Sequence, residues 1–166
     1  PEQSDMTHEE KVWIERLNRI GIGYFRPLVA AALTPDANTT PEERIEFFRA
    51  VERFIFLSFR MAASQSSYQS SEYYRKTRDV YTGKLFLSEV TASLITTATN
   101  DMDNSINSFI TRTDRRFSNG GGFYDWRDLR YLLFEYEYKK AEETGIEKLG
   151  WTPFTKVEKD KVSIEH

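Results

Sequence analysis

The chain has 166 residues, with 23 Lys and Arg against 26 Asp and Glu, a formal net charge of −3, two histidines and no cysteine. A chain of this length buries roughly 70% of the surface its unfolded form exposes, enough for one substantial core without disulfide or metal staples. The lack of cysteine excludes a disulfide framework, a thiolate zinc site and a cysteine nucleophile; with no signal-like or membrane-length apolar run, it points to a soluble, cytoplasmic protein.

Thr7-His8-Glu9-Glu10 has the form of a capping box and predicts a helix start. Trp13, Leu17 and Ile20 then recur at helical spacing until Gly21 and Gly23 interrupt. Residues 25–33 form a second, short apolar segment with Pro27 in its first turn, ending before Pro35, and residues 35–39 read as a polar loop. Thr40-Pro41-Glu42-Glu43 repeats the start signal with Thr as cap, Pro at the first helical position and Glu at the third. From Ile45 to Met61 apolar residues cover most of the circumference, which describes a central helix with Phe47, Phe48, Phe54 and Phe56 in the core. Residues 64–71, rich in Ser and Gln, predict a loop.

Residues 72–82 follow as a helix closed by Gly83, and Ser88-Glu89 opens another through Leu94, Ile95 and Ala98. Ile106, Phe109 and Ile110 mark a further helix that ends in the basic cluster Arg112, Arg115 and Arg116. Three glycines, 120–122, break the pattern. Asp125 is placed to cap a last helix with Trp126, Leu129, Leu132, Leu133 and Tyr136 on one side, stopping at Gly145. Beyond Gly150, Val162 and Ile164 alternate as in an extended arm. No period of 30 to 45 residues recurs, which argues against a solenoid. The expected architecture is therefore all-α: a bundle of about six or seven helices over residues 1–150, with an extended arm over 151–166.

Catalytic equipment is sparse along most of the chain. There is no Walker A sequence, no G-x-G-x-x-G and no Glu-x-x-His pair for a di-iron site, and the glycine run lacks a following Lys-Ser or Lys-Thr. His8, at a helix start, reads as exposed and uncommitted. Arg112, Arg115 and Arg116 are candidates for contact with a phosphate backbone, against the plainer reading of a solvated face. Tyr68, Tyr73, Tyr74 and Tyr81 fit core or interface better than base stacking.

The last residues differ. Val162-Ser163-Ile164-Glu165-His166 runs an apolar strand pair into an acid-His dipeptide, and upstream stands Trp126-Arg127-Asp128-Leu129-Arg130-Tyr131-Leu132-Leu133-Phe134-Glu135-Tyr136-Glu137. That order resembles the GmrSD-type family of modification-dependent restriction endonucleases and their bacterial relatives. In these, a ParB/sulfiredoxin-like NTPase domain is joined through a helical region to a C-terminal HNH nuclease domain. The resemblance implies that this chain is the helical middle region of such a bacterial defence protein, beginning after the NTPase motif and stopping before the nuclease motif is complete. It implies His166 as general base and Glu165 as metal ligand in the full-length parent only, where a divalent metal and a nucleotide are expected. In the chain by itself no cofactor and no activity is expected, since one strand end does not preorganise a metal. DNA is the partner implied through the parent, a homo-oligomer is left open, and a membrane is not expected. The competing expectation is a self-contained helical protein-interaction module, in which His166 carries no chemistry.

Overall fold

A computed structural model of the chain describes residues 6–34, 38–122, 126, 128–145 and 150–151. The expected all-α class is borne out: these residues form seven α-helices and no strand. No described helix is long and apolar enough to cross a membrane. The helices are α1 His8–Ile20, α2 Arg26–Ala32, α3 Pro41–Ile55, α4 Ser70–Tyr81, α5 Leu87–Asn100, α6 Met102–Ser118 and α7 Leu129–Thr144. A 3-10 turn, Gly23–Phe25, leads into α2, and a π-helical turn, Phe56–Met61, continues α3. The predicted arm over 152–166 lies outside the described residues. By its contacts the chain divides into two units, Pro1–Asp114 and Arg115–His166.

In the first unit both predicted capping boxes form. Thr7 accepts from the Glu10 amide at 3.2 Å and Glu10 reaches back to the Thr7 amide at 2.7 Å; Thr40 and Glu43 do the same for α3 at 3.2 and 2.9 Å. Each box satisfies two amides that the helix itself leaves without partners. At the far end of α1, Gly21 takes φ +89° and donates to the Leu17 carbonyl at 3.1 Å. A Cβ built there would meet the Arg60 guanidinium at 2.8 Å, the same group that donates to the Ile20 carbonyl. Gly21→Ala should therefore cost about 1–2 kcal/mol from backbone strain alone. Urea unfolding measures it, and a variant as stable as the parent would refute the assignment.

Helix α3 is the axis of this unit: α1 packs on one side, α5 on another, and α2 packs on α4. Leu17, Leu28, Phe47, Phe48, Val51, Phe54, Val90 and Leu94 are fully buried between them. Ion pairs Arg16–Glu52 and Arg49–Glu9, each 3.2 Å, lace the α1–α3 rim, with both guanidinium groups over the Trp13 ring. These rim pairs are partly exposed and contribute little beyond register. One expectation fails here. Phe47, Phe48 and Phe54 are core residues, but Phe56 is only half-buried. Phe54 and Phe56 stand two residues apart, about 200° around a helix, so one core face cannot take both.

Helix α6 contains the predicted basic cluster within its last turns and closes where Gly121 donates to the Arg116 carbonyl at 2.9 Å, with Gly120 at φ +78°. In the second unit, α7 starts at Leu129 with Asp128 as its cap, later than predicted; Trp126 precedes the helix, and Asp125 lies outside the described residues. Its buried positions are Tyr131, Phe134, Glu135 and Ala141, whereas Leu132, Leu133 and Tyr136 are exposed. Seven of the ten residues 129–138 are apolar, so spacing selects no single face. Phe134 wins the buried side by packing edge-on against Trp151, with ring centroids 4.9 Å apart.

Candidate functional site

Glu165 and His166 lie outside the described residues, as does the rest of the predicted nuclease start. Arg112, Arg115 and Arg116 fall on either side of the unit division. Arg112 is occupied within the first unit: its guanidinium donates to the Met61 and Arg60 carbonyls and to that of Ser108. It thereby ties α6 to the π-helical turn. Arg115 is exposed and Arg116 half-buried in the second unit. Lys76 on α4 is held by Glu72 at 2.6 Å and donates to Ser93 on α5 at 2.5 Å, while Arg78 pairs with the neighbouring Asp79. Among the described residues no three His, Cys, Asp or Glu side chains gather as a metal site would need.

The four tyrosines separate into two pairs. Tyr73 is buried, and Tyr68 lays its ring on Phe54 at 6.2 Å and donates its hydroxyl to Asp101 at 2.8 Å. Burial, with the Tyr73 ring among Phe25, Phe54 and Tyr24, pushes its hydroxyl pKa up, so it stays protonated. These two rings are structural. Tyr74 and Tyr81 instead stand 51% and 64% exposed on one face of α4, where two large rings together invite a reason.

Their surroundings supply one. Tyr74, Thr77, Arg78 and Tyr81 recur at i, i+3, i+4 and i+7, which places them in one row along α4. Pro27, Ala30, Ala31 and Thr34 repeat the same spacing along α2 and its end. The two rows line a shared groove of 440 Å³. Small residues make the α2 wall, so a third backbone can come close; the two tyrosines make the α4 wall, supplying large rigid faces. The groove's lining is apolar apart from Thr34, Thr77 and Arg78, whose guanidinium pairs with Asp79 at 2.9 Å; Arg26 and Arg75, next in sequence to Pro27 and Tyr74, are exposed.

Both rows are readable in the sequence, and Tyr74 and Tyr81 fit the interface reading given there. What sequence spacing lacked was the pairing of α2 with α4, which depends on a chain reversal across the whole of α3. No family model, curated protein or solved structure matches this chain.

Proposed function

We propose that this chain is a helical scaffold that holds a partner, with the α2–α4 groove taking one amphipathic helix of acidic character. The observation that carries this reading is the pair of matched i, i+3, i+4, i+7 rows facing one apolar groove, with Tyr74 and Tyr81 left exposed along it. An amphipathic helix laid in a groove buries its own row of apolar anchors at the same spacing. Arg78 in the lining, with the exposed Arg26 and Arg75 next in sequence to lining residues, favours Glu and Asp flanking those anchors, which speeds encounter and fixes orientation.

The resemblance of residues 126–137 and 163–166 to GmrSD-type proteins supports a finer proposal. In it, the chain is the helical region between an NTPase domain and an HNH nuclease of a DNA-restriction protein, and the seated helix comes from one of those domains. Glu165 would then hold a divalent metal and His166 act as general base in the parent, with Arg115 and Arg116 offering phosphate contacts. The groove reading stands or falls separately from these assignments.

The test uses a designed acidic peptide with Leu at alternating three- and four-residue spacing, titrated into isotope-labelled chain. Saturable amide shifts at Ala30, Ala31 and Thr77 are expected. Ala30 is exposed, so Ala30→Glu leaves the fold intact while placing a charge in the groove; it should weaken binding at least about tenfold. A peptide with Lys in place of its acidic flanks should bind more weakly still. Unmoved amides, or equal binding by Ala30→Glu, overturn the reading.

A further inference from the structure

A second hollow in the first unit, of 280 Å³, has the opposite character. It lies where the π-helical turn, the segment after it and the start of α6 meet, and its lining residues include Ser58, Ser64, Tyr68, Asp101, Asn104 and Ser108. Ser58 is only 2% exposed, and its hydroxyl has no hydrogen-bond partner in the protein. A buried hydroxyl without a partner is uncommon because water is surrendered and nothing replaces it.

The backbone around this hollow is held in unusual states. Ser58 belongs to the π-helical turn, in which Ala62 donates to the Leu57 carbonyl at 2.9 Å and Ser64 to the Ser58 carbonyl at 2.9 Å. Ala63 and Gln69, each beside a lining residue, both take φ +55° without being glycine. Such conformations cost free energy and persist where the surroundings impose them, often around ligands.

The chemistry of the walls selects the ligand. Serine hydroxyls and the Asn104 carboxamide both donate and accept, whereas the Asp101 carboxylate only accepts and has already taken the Tyr68 hydroxyl on one oxygen. No Lys or Arg lines the hollow, so an anion would face Asp101 without a compensating charge. A bare metal ion would leave most of the space to water, each molecule of which takes about 30 Å³. An apolar molecule would leave Ser58 without a partner. We propose that this hollow binds a small neutral polyhydroxylated molecule of the sugar or polyol class, with Asp101 accepting from one ligand hydroxyl and Ser58 and Asn104 bonding its neighbours. This site is independent of the α2–α4 groove.

Titration of the isotope-labelled full chain with D-ribose, D-glucose and glycerol, each alone, tests it. At least one should give saturable shifts at the amides of Ser58, Ser64 and Asn104. Ser58→Ala removes a hydroxyl that holds nothing else in the protein, so its spectrum and melting temperature should match or exceed the parent's while affinity falls about three- to tenfold. Asp101→Asn keeps an acceptor for Tyr68 and should weaken binding further, since a charge-assisted bond is lost. Shifts that rise linearly without saturation for all three compounds overturn the proposal, as does a Ser58→Ala variant that binds equally well. Saturable shifts at the same amides from potassium chloride alone would reassign the hollow to a cation and refute the polyol class.

Discussion

Phe54→Ala should lower the unfolding free energy by about 3–5 kcal/mol. Phe54 is fully buried on α3 and meets Phe25 and Tyr73 at ring-centroid distances of 5.4 Å each, at steep interplanar angles of 75° and 69°. Phe25 and Tyr73 are themselves 4.8 Å apart, so the three rings close a triangle contributed by the 3-10 turn, α3 and α4. Phe59 and Tyr68 add a further edge contact and a stacked face. Removing the central ring therefore deletes the transfer term of one large side chain and leaves a cavity whose walls are held by other rings. Those walls cannot collapse without moving three separate segments. Phe54→Leu fills most of the volume and should cost less than half as much. Denaturant unfolding with an unchanged m-value measures both. A loss below about 1 kcal/mol for Phe54→Ala would mean that the cluster relaxes freely, against the packing described.

The features that sequence made legible are local ones. Thr7 with Glu10, and Thr40 with Pro41 and Glu43, mark helix starts because the capping bonds join residues three apart. Gly21 and Gly145 mark helix ends because only a left-handed residue closes those turns. A bundle of about six or seven helices, and their order, follow from such signals together with periodicity. What depended on distant partners was not legible. The α7 face was misassigned because apolar residues surround that helix, and ring contacts such as that with Trp151, not spacing, set Phe134 apart from Leu133. The π-helical turn has no sequence signature, so the placement of Ser58 beside Asn104 and Asp101 was hidden. The α2–α4 groove needed two rows, each readable, to be brought together by helices neither of them contains. The Arg112, Arg115, Arg116 cluster shows the converse: residues adjacent in sequence separate in role, since Arg112 serves the π-helical turn and Arg115 does not.

Glu10 shows most sharply how a residue read for one local task performs a second, distant one. Its carboxylate closes the capping box of α1 with one oxygen and accepts from Arg44 Nε with the other at 2.5 Å, and the side chain is fully buried. Arg44 in turn donates to the Thr39 carbonyl at 2.7 Å, which fixes the approach to α3. Burial by itself would raise the Glu10 pKa, but the bonds from Arg44 and Thr7 and the Arg44 charge outweigh it, and the net shift is downward from 4.5. A carboxyl whose folded pKa lies below its unfolded one adds stability above the unfolded value; that part is lost as pH falls from about 4.5 through the folded pKa. Arg44→Met leaves the carboxylate buried without its cation and should cost about 3–5 kcal/mol at neutral pH. In that variant the Arg44 bond and charge no longer lower the Glu10 pKa while burial still raises it, so its pKa lies above the parent's. The gap between parent and variant should therefore narrow as pH is lowered from neutral to below 4.5, because Glu10 takes up its proton at a higher pH in the variant, where that removes an orphaned charge, than in the parent, where it removes a stabilising one. Adding Glu10→Gln to Arg44→Met removes the orphaned charge and keeps an acceptor for the Thr7 amide, so the double variant should recover most of the loss. Chemical unfolding of the three proteins across this pH range decides the matter: a gap that stays constant with pH, or a double variant no more stable than Arg44→Met, would show that Arg44 acts through packing of its stem and not through the charge on Glu10.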